Sequence, residues 1–424
     1  MNIDMRLLLL STTTGYQLRS FNDAAERAGV EVLFATDRCH RLDDPWQDRA
    51  IAVRFHEEDA SLGAIVEHAK ARPIHGVIAV GDRPVVLAAR VAAALGLPGN
   101  SVESAAASAN KFETRTRLAA AGLRVPWFTR MPLSRARAVN LAVAPIRFPC
   151  VVKPLGLSGS RGVIRADSET QLASAVDRVA RLLSRPDVRA IRSGLEEDIL
   201  IEGFVEGREF AIEGVLTRGR LRVFAIFDKP DPLDGPFFEE TIYVTPSALP
   251  SEAQRDIGLE VQRAAAALGL VHGPVHAECR VGPAGDVILE VAARPIGGLC
   301  SRALRFEPGA APLEEVLLRH ALGEDASVYA REPQASGVMM IPIPKRGMFR
   351  RVEGEAAARG VQLVEDVRIT AKPDQLMEPL PEGASYLGFI FARGGEPPAV
   401  VAALRDAHRR LRFTIDSPIQ VAGA

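Results

Sequence analysis

The sequence predicts an α/β fold that passes into α+β, spread over more than one domain. Three observations carry this. Strand-like and helix-like stretches alternate through the first hundred residues, glycine-punctuated strands dominate from there to about residue 305, and two apolar strands with one amphipathic helix close the chain. Alternation of the first kind reads as a parallel sheet covered by helices, whereas strand-rich runs read as α+β. A chain of 424 residues exceeds what one core serves, so roughly two to four domains are expected.

Composition narrows the class. Hydrophobic residues make up 47% and charged residues 25%, an ordinary globular balance. A net charge of −1 offers no long-range attraction to nucleic acid or anionic membranes, so neither is expected as a partner. The apolar run in "MRLLLLSTTTG" is too short for a signal peptide or a membrane span and reads as a first buried strand. Cys39, Cys150, Cys279 and Cys300 are scattered, with no C-x-x-C pair. That argues against a zinc site or a disulfide framework and for a reducing, cytoplasmic setting.

Taken in order, "RLLLLSTTTGYQLRSFNDAAERAGVEVLFAT" reads as strand, loop, helix, strand, and "HGVIAVGDRPVVLAARVAAALGLPGN" repeats the pattern, its helix stopped by Gly96 and Pro98. Neither strand is followed by G-x-G-x-x-G, so this unit is expected to wall a site located elsewhere rather than bind a dinucleotide. "SVESAAASANKFETRTRLAAAGL" reads as one helix. Residues 306–334 read as helices with a proline-bearing connection, and "SGVMMIPIP", "YLGFIFARG" and "PPAVVAALRDAHRRLRF" as a compact α+β unit. There is no internal repeat or low-complexity tract.

The chemistry-bearing residues begin with two strands around "GPAG". Folded symmetrically about Ala284, they place Glu278 opposite Glu290 and His276 opposite Ala292, with Arg294 continuing the face of Glu290. Carboxylates so paired have Cβ atoms roughly 4.5–5.5 Å apart, where like charges repel. They require a shared proton or a cation. Mg²⁺, which takes one or two carboxylates plus substrate phosphates, suits them. A register one residue off would instead splay them to solvent. Upstream, "FPCVVKPLGLSGSRGVIRA" delivers Lys153 at the end of a buried strand, before a loop holding Gly156, Ser158, Gly159, Ser160 and Gly162. Glycines let main-chain amides close on phosphate oxygens, and serines add hydroxyl donors. The lysine precedes the loop and no helix follows, so this is not a Walker A motif; read alone, it is an ordinary turn. In "DILIEGFVEGREFAIEGVL", Glu202 ends one strand and Glu209 opens the next. The link suits an adenine at the main chain of Gly203, Phe204 and Val205 and a ribose at Glu209, although a plain hairpin has the same pattern.

Together, Lys111 in "SANKFETRTRLAAAGLRVP", Lys153 with "GLSGSRG", "LIEGFVEGREF" and "HAECR…ILEVAARPIGG" resemble the ATP-grasp enzymes over about residues 1–325. The resemblance implies a Rossmann-like N-terminal domain (1–105), a two-subdomain ATP-grasp domain (106–325) and a small C-terminal α+β domain (326–424). It implies ATP as the nucleotide and Mg²⁺, or Mn²⁺ in its place, as the ion. Lys111 and Lys153, with the Ser158–Gly159–Ser160 loop, look like phosphate ligands. Glu202, Gly203, Phe204, Val205 and Glu209 look like the nucleotide hinge, and Glu278 and Glu290 like metal ligands. Arg294 looks like the catalytic residue holding an acyl phosphate, and the Gly297–Gly298 turn like the point of close substrate approach. Many members carry E-x-N-x-R; here Ala292 replaces the asparagine, as in the L-amino-acid ligases, which this chain also resembles at its C-terminal "YLGFIFARG". "FDKPDPLDGPFFEETIYVTPS" sits where that subgroup builds its substrate pocket, so Glu240, or its neighbour Glu239, is expected to take a substrate amino group. The implied activity is an ATP-dependent carboxylate–amine ligase acting on small molecules, with a homodimer as the family's common state. The competing readings are an ATP-grasp carboxylase or purine-pathway ligase, and a nucleotide-binding module without turnover.

Overall fold

A computed structural model of the chain describes residues 5–12, 17–37, 50–134, 146–283 and 285–417; Cys39 and the turn residue Ala284 lie outside them. Four parallel strands, β1 (Arg6–Ser11), β2 (Glu31–Thr36), β3 (Ala50–Ala52) and β4 (Gly76–Val80), form a sheet in the order β3-β2-β1-β4. Helices cover both faces. Leu7 and Leu9 pack with Phe21 on one side, and Leu8 and Leu10 with Ile65 and Leu87 on the other. A strand buried on both faces carries a continuous apolar run, which is why β1 reads "LLLL". The helix Val85–Leu95 ends at Gly96 with φ 64°, a left-handed cap that glycine adopts without a Cβ penalty.

The stretch expected as one helix is two, Val102–Ser108 and Lys111–Ala120. Asn110 breaks it by accepting hydrogen bonds from the amides of Phe112 and Glu113 through its side chain, a local alternative to the helical ladder. Lys111 therefore becomes the first residue of a helix, and its own amide donates to the Leu155 carbonyl at 3.1 Å. A second sheet, antiparallel, holds β5 (Phe128–Pro132), β6 (Cys150–Pro154), β7 (Ile164–Ala166) and β8 (Asp198–Gly203) in the order β5-β8-β6-β7. The helix Glu169–Leu183, capped by Ser168, covers it.

The third sheet has eight strands. β9 (Arg208–Thr217), β10 (Arg220–Asp228), β11 (Ile242–Thr245), β12 (Gly273–Gly282) and β13 (Gly285–Ala292) supply five of them. Three short strands, β14 (Arg305–Glu307), β15 (Ala311–Pro312) and β16 (Ala330–Arg331), pair separately. β17 (Ala335–Ile341), β18 (Gly347–Glu353), β19 (Val364–Ile369), β20 (Leu376–Met377), β21 (Gly388–Gly394) and β22 (Arg412–Asp416) follow. The large sheet runs β13-β12-β9-β10-β11-β17-β21-β19, so it passes straight through the boundary expected at 325/326. β11 pairs with β17 over Ile242↔Met339 to Thr245↔Ser336, which joins the last hundred residues edge to edge to the middle of the chain. No helix among the described residues is long and apolar enough to cross a membrane.

Candidate active site

β8 belongs to the four-stranded sheet and β9 to the eight-stranded one, so the "GFVEG" link is a hinge between two sheets and not a hairpin turn. A cavity of about 710 Å³ opens at this hinge, and the site residues expected from the sequence line it, except Glu239, the alternative to Glu240, and the loop residue Gly162. On the side of the four-stranded sheet, β6 presents Lys153, whose Nζ lies 2.6 Å from Glu202 Oε1. Arg115 closes on the same carboxylate, with Nε at 2.7 Å and Nη2 at 3.2 Å. Burial alone would raise the Glu202 carboxyl; the two cations outweigh it and hold it at about 2. The Glu202 carboxylate thus orients Lys153 and is engaged by two cations. The amides of Gly203 and Phe204 donate to the carbonyls of Trp127 and Pro149, at 2.9 and 3.0 Å. Of the three link residues expected to face adenine, Gly203, Phe204 and Val205, the first two have their amides committed.

The glycine-rich loop meets Lys111 directly: Lys111 Nζ donates to the Leu157 carbonyl at 2.7 Å. Gly159 and Ser160 both have positive φ, 62° and 55°, which turns this segment sharply between β6 and β7. Ser158, Gly159 and Ser160 all border the cavity.

The opposite wall is the β12–β13 hairpin. Glu278 pairs with Glu290 and His276 with Ala292, the register that brings both carboxylates to one face. It is reached differently from the symmetric fold. The turn end pairs Gly282 with Gly285, and an irregularity beside Glu278 absorbs one residue of β13, so that Cys279 faces Ile288. The two glutamates meet different cations. Glu290 has Lys111 at 3.8 Å and Arg294 at 4.0 Å, both loose. Glu278 has Lys229 at 3.0 Å and His276 Nε2 at 3.8 Å.

Lys229 was not singled out in the sequence. Its ammonium is buried among Glu209 at 2.8 Å, Glu278 and Glu240, over the ring of Tyr243. Burial disfavours its charge, but the three carboxylates outweigh that and raise its pKa well above the lysine range. Oxygens of these glutamates lie within 4.8 Å of one another, a spacing that would also serve a metal ion, yet here an ammonium stands between them. Burial, with Glu278 and Glu209 nearby, pushes Glu240 up to about 7 despite Lys229. Arg280 holds the other oxygen of Glu209 at 3.0 Å and the Val205 carbonyl at 2.7 Å. Glu209 and Glu240, expected to face ribose and a substrate amine, therefore each have a resident cation.

Arg294 shows a second omission. Its Nε and Nη2 reach Asp82 at 2.8 and 3.4 Å, and Nη1 donates to the Pro295 carbonyl at 3.1 Å. Desolvation opposes the charge, while Asp82 and Glu290 raise its pKa further above the ordinary arginine value. Asp82 follows β4, and Thr12, which follows β1, also lines the cavity. β1 has β2 on one side and β4 on the other, so the chain order reverses between β1 and β4. Ligands of open α/β sheets collect at the carboxyl ends of strands at such a reversal. That rule, applied to "GDRP", is the signal that finds Asp82. The Gly297–Gly298 turn lies beside Arg294 at the cavity's edge, joined there by Cys300, Met340 and Tyr386. Cys150, Cys279 and Cys300 are buried free thiols.

Comparison with known proteins bears on the fold that carries this cavity. Residues 146–303 match the ATP-grasp domain, residues 22–99 the ATP-grasp N-terminal domain, and residues 339–416 the L-amino acid ligase C-terminal domain 2. The chain belongs to the ATP-grasp ligases. Within them it is similar along its whole length to the crystal structure of L-amino acid ligase from Bacillus licheniformis. The TM-score is 0.82 and the identity 26%, covering 98% of this chain and 100% of that one. An uncharacterised protein of Sinorhizobium fredii is 27% identical over 91% of this chain and 78% of its own length. Alanine–anticapsin ligase of Bacillus amyloliquefaciens is 24% identical over 60% of this chain and 56% of its own length, so this chain spans little more than half of that relative.

Proposed function

We propose that the protein joins the carboxylate of one small molecule to the amine of another, at least one of them an amino acid, through an acyl phosphate formed at the expense of ATP. The observation that carries this is the convergence in one cavity of Lys111, Lys153, Glu278, Glu290 and Arg294, drawn from both sheets and from the helix between them. A site that only binds a nucleotide has no use for a buried guanidinium facing the carboxylate pair. The whole-length likeness to an L-amino acid ligase favours amide formation over carboxylation. The phosphoribosylglycinamide synthetase of Anaerococcus prevotii shares the fold alone, at 15% identity and a TM-score of 0.66.

In this reading Lys153, steered by Glu202, and Lys111, beside the glycine-rich loop, draw the phosphates into line. The Val205 amide takes the adenine edge in place of the committed Gly203 and Phe204 amides. Mg²⁺ fits the Glu278–Glu290 pair better than the Glu209–Glu240–Glu278 group, because Lys229 already neutralises the latter while Glu290 has, among the described residues, no cation nearer than 3.8 Å. When bound, the ion neutralises charge on the phosphates. The protein's part is positioning and electrostatics, since phosphoryl transfer asks little covalent help of it. Arg294, held by Asp82, faces the oxygen that gains charge as the amine attacks. Glu240, hydrogen-bonded to Lys229, receives the amino group of a substrate only by sharing or exchanging that partner. The division of the chain near residues 105 and 325, a cytoplasmic setting and a homodimer belong to the same proposal.

The test is a screen of the purified protein for ADP release with amino acids offered singly and in pairs, in the presence of Mg²⁺ or Mn²⁺. Pair-dependent release with a coupled product supports the reading. Release that requires bicarbonate, or no release with any pair, rejects it.

A further inference from the structure

The glycine-rich loop is held from a distant part of the chain. The segment between β20 and β21 bends back so that the Pro381 carbonyl accepts from the Gly162 amide at 2.8 Å and the Glu382 carbonyl from Arg161 Nε at 2.9 Å. The Glu382 side chain is gripped by Arg178, with Nε at 2.5 Å and Nη2 at 2.8 Å, one N–H to each carboxylate oxygen. Arg178 belongs to the helix behind β7 and also lies over the Phe237 ring, 4.7 Å from its centre. Four residues earlier in the segment, Glu378 pairs with Arg185 at 2.7 Å. Gly383 makes the bend possible, since a Cβ there would meet the Glu378 carbonyl oxygen at 1.9 Å.

Two features separate this from a scattered surface ion pair. The tip of the loop is open, since a Cβ at Gly159 would meet nothing within 4 Å, whereas its ends are packed, Gly156 against Leu195 and Gly162 against Pro154 and Leu182. The clasping segment also continues into the cavity, where Ala384 and Tyr386 form part of the wall, within four residues of Glu382. One short stretch thus touches the phosphate cover at one end and the substrate side at the other.

We infer that Glu382 is a positioning residue: its side chain, anchored on Arg178, fixes the Pro381 and Glu382 carbonyls that hold Gly162 and Arg161, and so keeps the glycine-rich loop closed over the nucleotide and ties that closure to the substrate wall. The inference rests on the proposed reading of this loop as the phosphate cover. A closed loop excludes water from a reactive acyl phosphate, so loosening it should cost coupling as well as affinity.

The experiment uses the full chain and four variants: Glu382→Ala, Glu382→Gln, Arg178→Ala and the exchange Arg178→Glu/Glu382→Arg. Two readouts are taken. The first is hydrogen exchange of the amides at residues 156–162 with ATP and Mg²⁺, which needs no knowledge of the second substrate. The second is the KM for ATP together with the ADP released per amide formed, using whichever pair the screen identifies. A bidentate, partly exposed pair predicts about a three- to tenfold faster loop exchange and a similar rise in KM in the single variants. It also predicts more than one ADP per amide, and substantial recovery in the charge exchange. Wild-type exchange and KM in both alanine variants would overturn the inference, as would an exchange variant no better than either single change. If no amide forms with any amine, the ligase reading falls while loop exchange still decides whether Glu382 holds the loop.

Discussion

Arg294 meets carboxylates from two parts of the chain, Asp82 at 2.8 Å and Glu290 at 4.0 Å, and that arrangement sets what its loss should do. Arg294→Ala should lower kcat/KM by about 10²–10³-fold while ATP affinity holds, because the charge is needed where charge develops. Arg294→Lys should recover only part, since an ammonium cannot make the paired N–H contacts of a guanidinium. Asp82→Asn should cost less than Arg294→Ala, as it removes the orienting partner and leaves the cation. Glu278→Gln and Glu290→Gln should each lower turnover by about 10²-fold. If Glu290 is the principal metal ligand, its variant should also raise the Mg²⁺ concentration for half-maximal rate, and steady-state rates across a Mg²⁺ titration read this directly. The residues behind these predictions differ in how visible they are. Strand alternation puts Glu290 and Arg294 on one face, and a symmetric turn adds Glu278, but the register stayed open until the family resemblance was weighed. Lys229 could not be placed, because a lysine in "FDKPDP" reads as solvated, and only the folded sheet shows three glutamates around it. Asp82 needed the strand order, which a single sequence does not state.

At the level of elements, the hairpin register was legible at its functional end and wrong at its tip, for a physical reason. The alternation fixes which residues share a face, but an absorbed extra residue near Glu278 leaves that alternation intact over each short stretch. Likewise the helical pattern of residues 101–123 conceals the Asn110 cap, since an asparagine competes for main-chain amides only once a helix end is available. The hinge strand β8 carries a testable electrostatic consequence. Glu202 has a folded-state pKa of about 2 against an ordinary value of 4.5, so the folded form binds its proton less readily. A depressed carboxyl adds stability that is fully present above pH 4.5 and is lost as pH falls toward 2. By the size of the shift the contribution is about 3 kcal/mol at neutral pH. Urea unfolding at pH 7 and at pH 3.5 should therefore show a smaller loss of stability for Glu202→Gln than for the wild-type chain over that interval. An equal loss in both would remove the pairing with Arg115 and Lys153 from the account.

For the whole molecule, three sheets contribute to one cavity, and the N-terminal sheet is part of the site through Asp82 and Thr12 rather than a bare wall. The three-part α/β and α+β organisation could be read from periodicity. The continuous eight-stranded sheet could not, because the β11–β17 pairing joins strands about ninety residues apart and hydrophobic pattern says nothing of partner choice. A ligand gripped from all sides binds only the folded chain, so ATP with Mg²⁺ should raise the melting temperature by several degrees at about 100 times the Kd. Lys153→Ala should lose most of that shift. Lys70→Ala should keep it, as Lys70 is exposed and paired with Glu67 on a helix remote from the cavity. The most direct measurement of the central claim is trapping with hydroxylamine: ATP, Mg²⁺ and the carboxylate substrate found in the screen are supplied with the amine withheld. The account predicts a hydroxamate formed in step with ADP, and its loss in Arg294→Ala. ADP release that needs no carboxylate, or a wild-type yield of hydroxamate from Arg294→Ala, would contradict it.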